Sequence, residues 1–165
     1  MLRYDPQLRR LAIGLSVLAG YIDALGFLRM QGLFVSFMSG NSTRLAVGLA
    51  MERRIALRAA GLILAFVLGV MLGTLVAARA GPRRKPAVIG LVALLLVAAA
   101  TADALGAPTV SLTAMVLAMG SANAVFQRDG EVSIGVTYMT GTLVKLGQRL
   151  AAALTGGDST GWRAY

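Results

Sequence analysis

In 165 residues the chain carries 57% hydrophobic and 14% charged side chains, and its mean hydropathy of +0.74 points to lipid as its solvent. With neither Cys nor His, disulfides, thiolate or imidazole metal sites and His-based acid–base catalysis are excluded. The formal charge of +9 resides in short clusters between apolar runs, not along one amphipathic face or among stacking aromatics, which sets nucleic acid aside.

Taken in chain order, residues 11–28 form an apolar run broken only by Asp23 and preceded by Arg9 and Arg10. A membrane span is the reading; a secretory signal peptide is its rival, and the Arg pair reads as an orientation signal. Residues 33–51 begin "LFVSFMSGNST", poor helical material, and continue as "RLAVGLAM". This pattern predicts an irregular stretch that becomes a short helix, capped by Asn41 or Ser42. Residues 59–78 contain no charge, 87–102 lie between "RAGPRRKP" and Asp103, and 109–126 follow Pro108. Each approaches the ~20 apolar residues that cross a bilayer. Residues 136–154 repeat the irregular-then-helical pattern, with Thr140 or Thr142 as the cap. Spans are therefore expected near 9–28, 56–79, 87–105 and 109–127, with half-helices over 33–51 and 136–154.

The two half-helices resemble each other. Aligning 35–50 with 136–151 gives identities at Val35, Met38, Gly40, Leu45, Leu49 and Ala50, with Ser/Thr, Phe/Tyr and Arg/Lys exchanges between them. Upstream, Gly20 and Ala24 meet Gly120 and Ala124 around an Asp23/Asn123 pair. The expectation is an internal duplication: 1–106 as the first repeat and 107–165 as the second. The second stops where its counterpart of 59–78 would begin, so the chain is expected to be truncated by about two helices.

"GYIDALGFL", "FVSFMSGNSTRLAVG" and "YMTGTLVKLG" resemble the YoaK-like family of bacterial integral membrane proteins, a domain of unknown function. The resemblance covers nearly the whole chain and implies several transmembrane helices in the cytoplasmic (inner) membrane, but no activity. Family members continue with further apolar helices where this chain ends in "GDSTGWRAY".

Orientation depends on the half-helix. If 33–51 crosses fully, the Arg3/Arg9/Arg10 end and the Arg79/Arg83/Arg84/Lys85 loop lie on opposite sides. If it dips in and returns, they share the cytoplasmic side, leaving Arg53, Arg54 and Arg58 outside. The second arrangement is preferred. It places the N-terminus inside and makes 9–28 and 109–127 antiparallel, an inverted duplication. The fold class is thus all-α: a polytopic helical membrane protein with an internal inverted duplication and two interrupted or re-entrant short helices.

Non-helical backbone cannot face lipid, so the SGN and TGT stretches belong inside the protein or on a wet cavity. Arg44 and Lys145 fall early in their helices, where a cation opposes the macrodipole, suggesting an anion or carboxylate to receive them. The leading expectation is a transporter or channel for a small polar or anionic solute. Ser39, Gly40, Asn41, Thr140, Gly141 and Thr142 supply contacts, Arg44 and Lys145 countercharge, and Asp23, Asn123 and Asp103 gating or coupling. The alternative is a non-transporting scaffold or assembly subunit, in which Asp23 pairs with Arg44, and Lys145 pairs with Asp103 or snorkels to the interface. No catalytic, metal or cofactor site is expected, and an enzyme ranks below both readings. Small residues four apart, Gly61/Ala65/Gly69/Gly73/Ala77 and Ala12/Ser16/Gly20/Ala24, predict close helix packing within the chain, with a homodimer as the lesser use.

Overall fold

The computed structural model describes residues 6–128, 131–132 and 139–155. Six α-helices follow one another: α1 (Pro6–Arg29), α2 (Met38–Met51), α3 (Arg53–Ala80), α4 (Arg84–Ala104), α5 (Pro108–Ala122) and α6 (Met139–Leu154). A 3-10 turn, Gly81–Arg83, joins α3 to α4, and another, Asn123–Phe126, extends α5. A two-residue antiparallel pair follows, β1 (Gln127–Arg128) with β2 (Glu131–Val132).

Three stretches are long and apolar enough to cross a membrane: 7–29, 53–104 (which holds both α3 and α4) and 108–126. The expected all-α, polytopic class is borne out. Large apolar side chains face outward along these helices, among them Val17 and Leu28 on α1, Leu64 and Met71 on α3, and Leu94 and Val97 on α4. In water such a surface would be a liability; in a bilayer it meets lipid.

Helix directions follow from specific contacts. Arg29 ends α1 and Asp103 lies in the last turn of α4; their ion pair brings the two C-terminal ends to one face. Gly69 packs on Leu117 and Gly73 on Ser121, a constant sequence offset, so α3 and α5 run parallel. Short turns join α4 to both, and α4 runs against them. Hence α1 and α4 point one way, α3 and α5 the other. The chain between α1 and α3 must therefore return to the face it left. At 14 residues, α2 is about 21 Å long, short of the ~30 Å hydrocarbon core. It folds back along α3 at Glu52, whose extended backbone (φ −153°, ψ 98°) separates the two helices. Gly48 makes the turn fit, since a Cβ there would stand 2.6 Å from the Ala56 nitrogen.

α5 packs against both α3 and α4, and its buried side includes Ala114, Met115, Ala118, Met119 and Ala122. At its crossing with α3 the backbones nearly touch. Gly120 faces the Phe66 carbonyl, and the Ser121 hydroxyl donates to the Gly69 carbonyl at 2.9 Å. The small-residue stripe of α3 is used in part: Gly69, Gly73 and Ala77 are buried, while Gly61 meets open space. On α1 the expected stripe is used only at its start: Ala12 is buried and Ser16 half-buried, Gly20 and Ala24 are exposed, and Leu15, Ala19 and Ile22 complete the buried side. A small-residue stripe does not orient a helix by itself when lipid is as apolar as the core.

The C-terminal end of α4 is held by two backbone bonds, Ala107 N–H to the Ala102 carbonyl at 2.8 Å and Gly106 N–H to Asp103 at 3.0 Å, with Gly106 at φ +74°. This is a Schellman cap, and its left-handed residue favours glycine. Gly106→Ala is expected to cost about 1 kcal/mol in reversible unfolding of the detergent-solubilised protein, whereas Gly61→Ala, in the interior of α3 with open space around it, is expected to stabilise by about 0.5–1 kcal/mol.

Candidate functional site at the start of the short helix

The segment between α1 and α2 is shaped by two side chains. At its beginning Gln31 (φ 55°) and Gly32 (φ 95°) turn the chain back, and Gly32 N–H reaches the Phe27 carbonyl at 3.0 Å. The chain then passes beside α1, where Asp23 collects it. One carboxylate oxygen accepts the backbone N–H groups of Val35 at 2.8 Å, Ser36 at 2.6 Å and Phe37 at 3.4 Å. The other accepts the Ser36 hydroxyl at 2.6 Å. Val35 and Ser36 are buried and Phe37 is exposed, and a carboxylate is the acceptor best able to satisfy several donors at once.

Asn41 provides the second tie. Its Oδ1 accepts from the Phe34 N–H at 2.9 Å and its Nδ2 donates to the Phe34 carbonyl at 2.7 Å, so one side-chain amide pairs with both main-chain polar groups of one residue as a neighbouring strand would. Asn41 is fully buried. Phe27, Phe34 and Phe37 stack in sequence, with centroids 5.1 Å apart in each pair. Gly40 gives them room, because a Cβ there would meet the Phe37 ring at 2.5 Å. Asn41→Ala leaves the main-chain N–H and carbonyl of Phe34 without that partner and is expected to cost about 2 kcal/mol, read as a lowered unfolding midpoint.

These contacts revise several expectations. Helix α2 begins at Met38, so Asn41 and Ser42 lie inside it and do not cap it. No side chain caps α2; Asp23, from the preceding helix, places its negative charge beside the chain just before it, where the positive end of the dipole lies. Likewise α6 begins at Met139, the residue aligned with Met38, and Thr140 is its second residue. The Ser42 hydroxyl bonds back to the Met38 carbonyl at 2.9 Å, and that of Thr43 to Ser39 at 3.2 Å. Asp23 makes no ion pair with Arg44 among the described residues; the Arg44 guanidinium lies against Gly32. Asp103, considered both for gating and as a partner for Lys145, pairs with Arg29 at the rim of the bundle.

Of the eight residues expected to contact solute, Gly40 and Asn41 thus shape the protein itself. Ser39 is exposed and Arg44 half-buried on α2, while Thr140 and Gly141 are exposed on α6. The side chains of Thr142 and Lys145, and residues 133–138, lie outside the described set. Asn123, the counterpart of Asp23, is buried in the 3-10 turn after α5 and donates to the Met119 carbonyl at 3.0 Å. The sequence reading missed Phe34 and Ser36 as partners of Asn41 and Asp23, and Arg29 as the partner of Asp103. The aromatic spacing around Gly32 was the available clue to the first two.

A family model described as "Protein of unknown function (DUF1275)" matches residues 11–165. A UPF0700 transmembrane protein of Rhizobium meliloti (strain 1021) is 35% identical over 161 residues, covering 93% of this chain and 69% of that protein. No solved structure matches the chain. The resemblance drawn from the GYIDALGFL and MSGN motifs is borne out by these two findings.

Proposed function

Because the chain belongs to the DUF1275 family of membrane proteins, we propose for it the role its own geometry supports best: a transporter or channel for a small polar or anionic solute. The supporting observation is the polar first half of α2. Ser39, Ser42 and Thr43 are exposed and Arg44 half-buried on a helix too short to span the hydrocarbon core. Polar side chains within that core are costly against lipid and are retained where a cavity or path is wet. In this role Ser39 and Arg44 meet the solute, with Thr140, Gly141, Thr142 and Lys145 as their counterparts in an inverted second repeat. Asp23 holds the lead-in segment and gates it, and Asn123 is its neutral equivalent; Asp103, tied to Arg29, takes no further part. The cation distribution supports a cytoplasmic N-terminus in the inner membrane. No catalytic step is assigned.

The scaffold reading has its own support: Asp23 and Asn41 are both engaged in bonds within the chain. Single cysteines distinguish the two, since the protein has none of its own. Transport predicts that Ser39→Cys and Arg44→Cys react with an impermeant thiol reagent in vesicles, that small anions slow the reaction, and that those anions cross the membrane of the same vesicles. If neither reacts while Arg83→Cys does, the junction is dry and the scaffold reading replaces transport.

A further inference from the structure

The helix directions bring two basic clusters, distant in sequence, to one end of the bundle. Arg9 and Arg10 lie near the start of α1, Arg79 at the end of α3, and Arg83, Arg84 and Lys85 at the α3–α4 turn. Because α1 and α4 run the same way, all six cations occupy a single face. None makes an ion pair with a carboxylate among the described residues. At the opposite face, by contrast, Arg29 is answered by Asp103, and Glu52 directly adjoins Arg53 and Arg54.

Local electrostatics make the concentration of charge unfavourable for the protein alone. Helices α1 and α4 both begin at this face and present the positive ends of their dipoles to it. Neither has an acidic residue in its first turn, and α4 has no side-chain cap while Arg84 and Lys85 open it. The ends are anchored to one core: Leu8, Leu11 and Ala12 of α1 belong to the same packed cluster as Val88 and Ile89 of α4 and Val76 and Ala77 of α3. The cations are therefore held close to the level where a bilayer places its headgroups, directly above outward-facing apolar helices.

We propose that this face is a binding surface for anionic phospholipid headgroups, whose phosphates supply countercharge to cations that make no ion pair among the described residues. Guanidinium and ammonium groups both suit phosphate oxygens, and an anionic lipid also satisfies the apolar surface beneath with its acyl chains. The proposal depends on the helix directions and is independent of whether the protein transports anything.

The test uses the full chain purified in mild detergent, with phosphatidylglycerol and phosphatidylcholine competing for it in native mass spectrometry and in thermal unfolding. The wild type is expected to retain phosphatidylglycerol selectively and to unfold at a higher temperature with it. The Arg83→Gln/Arg84→Gln/Lys85→Gln variant is expected to bind it at least about tenfold more weakly. A folded control on the opposite face, Arg53→Gln/Arg54→Gln, is expected to match the wild type. Equal retention of the two lipids, or an equal loss in the control, would overturn the proposal. Displacement of phosphatidylglycerol by millimolar inorganic phosphate or by short DNA would also do so, by identifying a general polyanion surface.

Discussion

Replacing Gly120 by valine is expected to force α3 and α5 apart and to destabilise the protein by more than about 3 kcal/mol. A Cβ at position 120 would collide with the Phe66 carbonyl and lie 3.0 Å from both the Gly69 Cα and the Val70 nitrogen. Every one of these atoms is backbone, so no rotamer change relieves the contact. Separation of the helices would also break the Ser121 to Gly69 bond and uncover the tight packing that drives helix association in lipid. Gly90→Val, on α4, adds the same side chain where nothing lies within 4 Å. It is expected to change stability by less than about 1 kcal/mol, since valine is no poorer a helix residue than the glycine it replaces. Unfolding midpoints of the two variants in one detergent check the contrast; equal effects would show that the α3–α5 crossing does not depend on glycine.

Asp23→Ala is the second large effect. It removes the acceptor of three backbone N–H groups and one hydroxyl, in a segment where Val35 and Ser36 are buried. Hydrogen bonds to charged groups contribute about 1.5–3 kcal/mol each and are not additive on a shared acceptor, so a loss of about 3–5 kcal/mol is expected. Asp23→Asn keeps one carbonyl oxygen for the N–H groups and is expected to lose about half as much. A specific readout separates release of this segment from general unfolding. A cysteine at Val35 is expected to be protected from thiol reagents in the parent and to react in the Asp23→Ala background while α5 remains folded. Continued protection would show that Asn41 and the aromatic stack suffice to hold the segment.

The helices were largely legible because lipid demands little besides apolar length, which charge-free runs such as 59–78 display directly. The short helix was legible in kind, since "FVSFMSGNST" can be neither a span nor a surface loop. Its first turn was misread for a physical reason. Ser, Gly and Asn are local capping residues by propensity, yet the acceptor that matters belongs to Asp23, twelve to fourteen residues upstream on another helix. Asn41 was freed from capping to pair with Phe34. Such partners are created by tertiary packing and leave no periodic trace. The Arg29–Asp103 pair illustrates the same limit, as two ordinary helix-end charges 74 positions apart reveal the direction of the bundle only once they meet.

That α2 enters and returns is tested most directly by sidedness. With single cysteines introduced at Arg10, Arg83, Met51 and Leu105, each exposed in the structure, an impermeant thiol reagent is applied to either side of oriented vesicles. Arg10→Cys and Arg83→Cys are predicted to react from one side and Met51→Cys and Leu105→Cys from the other. Reaction of Arg10→Cys and Arg83→Cys from opposite sides would mean that α2 crosses the membrane, contradicting the helix directions from which the rest is argued.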